Sequence, residues 1–412
     1  MVREMKNSGV KWIGEIPNHW TCCKQKYLIT LLNGRAYKDS EFEEDGKYKI
    51  LRVGNLFTNP IWYTSSLELD PNKYCQDGDL LYSWSMSYAP VIWHGEKVIY
   101  HYHIWKTILS EKISKIFAYY YFISLTNALR AEIHETTMGF ITMGVMNNAN
   151  IASPPLSEQQ VIANFLDVKC AEIDGLLADL DAEVKTLTEY KKSIIAETVT
   201  QGLNPNVPMK QSGIPWADYI PVHWRIQKGK YTFRLLQRPV KEDDGVITCF
   251  RDGEVTLRSN RREEGFTMST KEYGYQGIEP GDLVVHGMDG FAGSIGISDS
   301  RGKGTPVLNV LDSDHNKWYL MYYLRNMAYG DVFLALSTGI RVRSCDLSWK
   351  KLGEIRIVLP PIEEQNAIAT YLDEKCAAID QAITDKQTQI ETLKSYKASL
   401  IYEYVTGKKQ VI

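Results

Sequence analysis

Apolar residues from Ile173 onward recur at alternating intervals of four and three: Ile173, Leu177, Leu180, Val184, Leu187 and, past Lys191, Ile194. The same intervals return at Ile379, Ile383, Lys386, Ile390, Leu393, Lys397 and Leu400. Side chains spaced this way share one face of a helix, and the four–three alternation is that of a coiled-coil seam. The other faces are polar, which argues against a hairpin buried in one globular core. Upstream, Pro154-Pro155 bar an earlier helical start, and Ser157 with Gln160 reads as a capping box. Each stretch therefore predicts a helix of roughly 40 residues, about 60 Å long at ~1.5 Å rise per residue. Two such helices are expected to bury their stripes against each other. Lys191 and Lys397 interrupt both seams at one level and Lys386 adds a further break; polar seam residues set register or pairing at some cost in stability.

The two helical stretches are copies. Pro154–Thr200 aligns without a gap to Pro360–Thr406 at an offset of 206, with 23 of 47 positions identical. A second segment also recurs: Ser8–Trp20, SGVKWIGEIPNHW, returns as Ser212–Trp224, SGIPWADYIPVHW. Repeats this far apart indicate a duplicated half-molecule and not a solenoid array. Trp12, Trp20, Trp216 and Trp224 are expected to pack a domain entrance. His19 and His223 have no acid or nucleophile nearby in the sequence and read as structural.

Between these markers, period-two runs bounded by turns predict strands at Tyr48–Val53, Leu80–Trp84, Val91–Trp93 and Val98–Tyr100. Gly78-Asp79-Leu80-Leu81 has its counterpart in Gly281-Asp282-Leu283-Val284, a turn feeding a buried strand. Helices are expected over Ile113–His134 and Lys317–Leu336, each followed by a glycine-containing loop, Thr136–Gly144 and Ser337–Arg343. The fold class is thus α+β: two α/β globules of about 150 residues, each followed by one long helix, in a pseudo-two-fold internal repeat. The boundaries fall at 1–153 and 204–359 for the globules, and at 154–203 and 360–412 for the helices. The globules share landmarks but little intervening sequence. A duplicated frame with different inserts suits a protein presenting two different recognition surfaces.

Composition narrows the class. The 412 residues are 44% hydrophobic and 24% charged, which is ordinary for a globular protein and excludes fibres and disorder. No apolar run approaches the length of a membrane span and no secretory leader is evident, so a cytoplasmic chain without a membrane partner is expected. The seven cysteines form no CxxC pair, so structural zinc is not expected, and Cys170 and Cys376 read as small buried residues on the helices. A net charge of −3 argues against a whole-surface polyanion binder but permits a local basic groove.

At this point the residues resemble a family. The Pro-Pro-Leu/Ile-x-Glu-Gln helix start, the FLD/YLD and KC-A-x-ID segments, the YK…E-x-VT-x-G end and the I-P-x-H-W entrance look like the specificity subunit of type I restriction–modification enzymes. The resemblance covers the whole chain, in the order target-recognition domain, helix, target-recognition domain, helix. It implies that the two helices pair as an antiparallel coiled coil and act as a spacer. Each domain is then expected to read one half of a bipartite, asymmetric site on double-stranded DNA. Two modification (methyltransferase) subunits are expected to dock on the helical frame, and restriction (translocase and nuclease) subunits to join them. By the same resemblance this chain binds no cofactor, while S-adenosylmethionine, ATP and magnesium belong to the partner subunits.

The chain's own chemistry fits a reader. An adenine methyltransferase needs an Asn/Asp-Pro-Pro-Tyr/Phe loop; Asn59-Pro60-Ile61 and Asp70-Pro71-Asn72 are ordinary turns. The nearest approach to a P-loop, Gly296–Gly304, is one residue too long and has Gly304 where magnesium needs Ser or Thr. Glu183-Val184-Lys185 spells part of a nuclease motif but lies mid-helix. No catalytic or metal site is expected, and the chain is not expected to be an enzyme.

For DNA contact, the second half offers Arg234, Arg238, Arg258, Arg261 and Arg262 within a basic stretch that also holds Arg225, Lys228, Lys230, Lys241 and Arg251. The loop Ser337–Arg343 adds Arg341 and Arg343 beside Gly339, where guanidinium forks and close backbone approach coincide. In the first half the candidates are Arg35, Lys38, Thr137 and the run Trp84-Ser85-Met86-Ser87-Tyr88. Two other readings remain open: the specificity subunit of a Type IIB-like system, and a coiled-coil scaffold that binds only protein.

Overall fold

The computed structural model describes residues 3–85, 87–135, 141–261, 273–335 and 347–411. It divides into two compact units, Met1–Asp181 with Thr388–Ile412, and Ala182–Gln387. The division cuts both long helices, so each unit holds one globule and a part of each helix.

In the first unit an antiparallel sheet runs in the order Ile29–Asn33, Ile104–Leu109, Leu80–Ser83, Ala89–Ile92. A second sheet runs Tyr63–Ser65, Tyr48–Leu51, Val98–Tyr100, Tyr74–Cys75, with one parallel pairing, between Tyr48–Leu51 and Val98–Tyr100. The helix Lys115–Glu135 buries Phe117, Tyr121, Phe122 and Leu125 in the same core as Trp20, Tyr82 and Trp105.

The second unit repeats this plan. Its antiparallel sheet runs Arg234–Leu235, Leu308–Asp312, Leu283–His286, Ile295–Ile297. Two further strand pairs, Val255–Leu257 with Ile247–Cys249 and Gln276–Ile278 with Gly302–Gly304, are joined by a parallel bridge between Val246 and Lys303. That bridge reproduces the order of the first unit's second sheet. The globules are therefore copies in topology, which their intervening sequences do not reveal.

The expected helices and strands form with shifted ends. The first long helix spans Leu156–Gln201 and the second Ile362–Val405. The first begins one residue upstream of the expected capping box, and both start directly after the paired prolines: the carbonyls of Pro155 and Pro361 accept the first helical bonds, from Gln159 N at 2.9 Å and Gln365 N at 3.0 Å. Ser157 thus lies within the first turn, and Gln160 turns away to Asn164 at 2.7 Å. Proline suits this position because it has no N–H to leave unpaired. The helix expected over Lys317–Leu336 ends at Tyr329, where Asp331 takes a positive φ of 57° before a short turn at Val332–Ala335. The strand expected over Tyr48–Val53 stops at Leu51, and a short helix starts at Val53.

The long helices pair antiparallel. In the first unit Asp174 meets Lys397 at 2.6 Å and Phe165 packs on Tyr404 with ring centroids 4.5 Å apart. In the second unit Asp380 meets Lys191 at 2.6 Å and Lys386 pairs with Glu183. The two seam lysines shared by the copies each pair with the ID aspartate of the other copy, so register is written twice, once per unit. Ile173, Ile379, Ile390, Ile194 and Leu400 are buried, while Leu177, Leu180, Val184, Leu187, Ile383 and Leu393 are half-buried.

Candidate nucleic-acid interface

The repeated motifs build one clamp per unit. His19 Nε2 and Trp20 Nε1 both donate to Glu158, at 2.8 and 3.0 Å, and Arg3 adds an ion pair. In the second unit His223 and Trp224 donate to Glu364 at 2.6 and 2.9 Å. Burial raises the Glu158 carboxyl, but the hydrogen bonds from His19, Trp20 and Arg3 outweigh it and hold the group below the usual carboxylate range. The acids that the histidines lack nearby in sequence thus come from the first turns of the long helices, 139 and 141 residues away. Next to them, buried Gln159 accepts from Ser114 N at 2.8 Å and donates to the Lys112 and Pro154 carbonyls, both at 2.9 Å. Gln365 does the same with Asn316 N and Pro360 O. The LD aspartates accept from globule tyrosines, Tyr120 to Asp167 at 2.8 Å and Tyr322 to Asp373 at 2.7 Å.

The glycine that ends each helix closes the clamp. Gly407 (φ 73°) and Gly202 (φ 81°) lie in the left-handed region. A Cβ on Gly407 would sit 2.5 Å from Pro17 and 3.1 Å from Trp20, and one on Gly202 3.0 Å from Trp224. Only glycine allows the backbone that approach. The recurring entrance, helix start and helix end are therefore one site, and they position the globule on the helices.

With the frame accounted for, the differing surfaces stand out. In the first globule rings touch in series. Tyr82 stacks on Trp105 (5.7 Å, 13°), Trp105 on Trp84 (5.7 Å, 16°), and Trp84 meets His103 edge-on at 5.2 Å. His103, Tyr102 and His101 continue the series to Tyr37, over which Arg35 lies at 5.3 Å. Trp84 Nε1 is fixed by the Tyr102 carbonyl at 2.8 Å. Two of the sequence candidates, Arg35 and Trp84, thus stand on one aromatic surface. Arg35 is bound to Glu41 at 2.5 Å, while Lys38 is exposed. Ser87 and Tyr88 are half-buried, with Arg130 over the Tyr88 ring at 5.9 Å. Burial, then His103 and Arg52, push the His101 imidazole down to about 4; burial and Arg52 lower His103. Both rings are therefore neutral near pH 7 and act as hydrogen-bonding aromatics. The run His101-Tyr102-His103-Ile104-Trp105 and Arg52 were not among the candidates, although four rings within five residues are a visible aromatic signal.

The second globule has an open cleft of about 800 Å³ at the corresponding strand ends. Arg258 and Arg261 line it, together with Arg251, His286 and Ser294. Arg251 is braced by Asp289 at 2.9 Å; Arg261 is braced by Asp252 and by Glu254 at 3.2 Å, and lies 4.2 Å over the Phe250 ring. Arg258 Nε reaches Thr248 Oγ1 at 3.4 Å. His286 Nδ1 accepts from the Met288 and Asp289 amides at 3.2 and 3.0 Å, which leaves Nε2 as the protonated donor. The other two arginine candidates go elsewhere. Arg234 pairs with Asp312 and Asp314, both at 2.8 Å. Arg238 turns inward, forming a two-point pair with buried Asp282. In the first globule the matching turn residue, Asp79, is paired instead with Lys106 at 2.6 Å. Thr137, Arg262, Arg341 and Arg343 lie outside the described residues. Among the described residues no group of His, Cys, Asp and Glu could hold a metal ion, and no helix is long and apolar enough to cross a membrane.

A duplicated α+β frame carrying two unlike surfaces, one aromatic and one an arginine-lined cleft, has the form of a recognition protein. Residues 17–186 match the family described as the Type I restriction modification DNA specificity domain. The putative type I restriction enzyme MjaX specificity subunit of Methanocaldococcus jannaschii is 25% identical over 97% of this chain and 96% of its own length. The type I restriction enzyme StySPI specificity subunit of Salmonella potsdam is 19% identical over 92% of this chain and 88% of its own. In fold, the chain is similar to a solved structure from a study of assembly and conformational transition in the type I R-M system. That likeness has a TM-score of 0.67 at 15% identity and covers 96% of this chain and 99% of the other. Over most of its length the chain is thus similar to specificity subunits of type I restriction–modification systems, and its residues 17–186 match that family's DNA specificity domain.

Proposed function

We propose that the chain reads a bipartite, asymmetric site on double-stranded DNA, one half through each globule, with the paired helices as the ruler between the halves. Two globules of one topology, clamped alike to the helix pair but differing in the surfaces they present, are the observation that carries this reading. The helices would also dock two modification subunits, on which S-adenosylmethionine is bound, and restriction subunits with ATP and magnesium would complete the complex. Two related domains engage major grooves about one helical turn, or 10–10.5 bp, apart. Contacts to base edges specify the sequence, and lysines and arginines on phosphates fix the register.

In the first globule Trp84, Ser87, Tyr88, Arg35, Lys38 and Thr137 would contact DNA. In the second, Arg258 and Arg261 would do so, with Arg262, Arg341 and Arg343. Arg234 and Arg238 are tied to carboxylates, and their contribution to DNA binding would be indirect.

The test is single-molecule methylation mapping in a restriction-minus host that carries this chain with its modification partner. The expected result is adenine methylation at one bipartite motif with an unread spacer, whose length changes or whose modification disappears when one heptad is removed from both helices. Association of the two proteins without motif-specific methylation would overturn the reading and leave a protein-binding scaffold in its place.

A further inference from the structure

Among the clefts and clusters of the molecule, that of the second globule makes a chemical demand which its own residues leave unmet. Three guanidiniums, Arg251, Arg258 and Arg261, face it, and the braces on two of them supply three carboxylates, Asp252, Glu254 and Asp289. A phosphate site needs surplus positive charge, and among the described residues the three guanidiniums are matched by three carboxylates. What the braces do supply is orientation: a carboxylate bound to one edge of a guanidinium fixes its plane, and at Arg251 it leaves the opposite edge to donate, whereas both terminal nitrogens of Arg261 are taken by Asp252 and Glu254. Arg251 is bonded through Nη2 alone, and its other donors have no partner among the described residues. Its side chain is 62% exposed, so those donors stand at the rim. In the floor, Ser294 Oγ is fully buried and likewise without a hydrogen-bond partner among the described residues.

We infer that this cleft reads a G·C base pair from the major groove, with Arg251 donating to guanine O6 and N7 and Arg261, tied to Asp252 and Glu254, beside it in the cleft. The inference rests on the chain's role as a DNA reader and adds what one half-site contains. Guanine presents two adjacent acceptors to the major groove, the pattern that an arginine fork matches. Adenine presents one acceptor and one donor, for which arginine, having no acceptor, is poorly suited. The bracing carboxylates complete the selection, since they accept from the N4 amine of the paired cytosine and repel a phosphate.

The experiment selects DNA from a randomised duplex library with the complex of this chain and its modification partner. It compares wild type with Arg251→Ala/Arg261→Ala and, for the first globule, Trp84→Ala. We expect one half-site to contain guanine, and the double variant to lose about tenfold or more of the preference at that position while the other half-site is unchanged. Trp84→Ala should relax the other half-site instead. A second measurement needs no variant: replacing that guanine by 7-deazaguanine, which lacks N7, should weaken wild-type binding several-fold. Three results would overturn the inference: a half-site of A·T pairs alone under the control of these arginines, a loss spread evenly over all sequences, or indifference to 7-deazaguanine. If wild type selects no motif, DNA reading itself fails and the inference falls with it; a motif that persists while the arginine effects are absent sinks only the inference.

Discussion

The two globules share strand order, clamp and helix, yet one offers a row of stacked rings and the other a set of braced guanidiniums. The difference shows how the chain separates duties. Positions that hold a globule to the helices are the ones that recur in the sequence, because both copies meet the same geometric demand. Positions on the strand ends face outward, carry no packing demand, and have diverged. Even the interior adapts: the same Gly-Asp-Leu turn is neutralised by Lys106 from the neighbouring strand in one globule and by Arg238 in the other.

The comparison breaks first at the clamp. Trp20→Ala and Trp224→Ala each remove a ring that is at most 1% exposed and should each cost about 3–5 kcal/mol in urea unfolding. If only one of them is costly, the clamps are not equivalent. Next come the turn cations. Asp282 is 4% exposed and Asp79 21%, so Arg238→Ala should destabilise by about 3 kcal/mol and Lys106→Ala by about 1.5 kcal/mol on the same assay. Equal losses would mean that burial of the carboxylate does not decide the cost.

Acidification should single out the first globule. The folded value of His101, about 4, lies below the ordinary 6.5, so the ring contributes stability that is intact above about pH 6.5 and is lost as pH falls toward 4. Because the ring is half exposed, the effect is discounted to on the order of 1 kcal/mol. Imidazole NMR titration checks it directly; a His101 midpoint near 6.5 would remove the contribution. The smallest effects belong to the register pairs. Lys191→Ala and Lys397→Ala should each cost about 0.5 kcal/mol, and equally, since both lysines meet a half-exposed aspartate at 2.6 Å. A marked inequality in chemical denaturation would show that one level of the helix pair sets the register alone.

The frame was legible because its signals are local or periodic. The seam from Ile173 to Leu400 and the gapless repeat need no tertiary knowledge. The partners of the repeated residues were not legible: the acid for His19 arrives from Glu158, on the far side of a whole globule in sequence. The same limit affected the site. Arg238 and Arg261 look alike in a basic stretch, and only the fold turns one toward buried Asp282 and the other into the cleft. Arg258 and Arg261 were visible as charges, whereas His286 and Ser294 were not, because nothing in a strand end or a glycine-rich turn signals a cleft. The break after Tyr329 was hidden for a related reason: Gly330-Asp331 reads as a tolerable interruption until Asp331 takes its left-handed conformation.

The balanced charge of the second cleft has a consequence for salt. Binding that neutralises phosphates releases condensed counterions and weakens steeply as ionic strength rises. A cleft whose guanidiniums are already matched by carboxylates, in a chain of net charge −3, releases few. Raising the salt should therefore lower the overall affinity for DNA, supplied by phosphate contacts elsewhere in the complex, while the ratio between the right and the wrong base at this cleft stays nearly constant. Discrimination and adhesion would then be separately adjustable, and rising ionic strength would weaken the grip on random DNA without blurring the sequence being read.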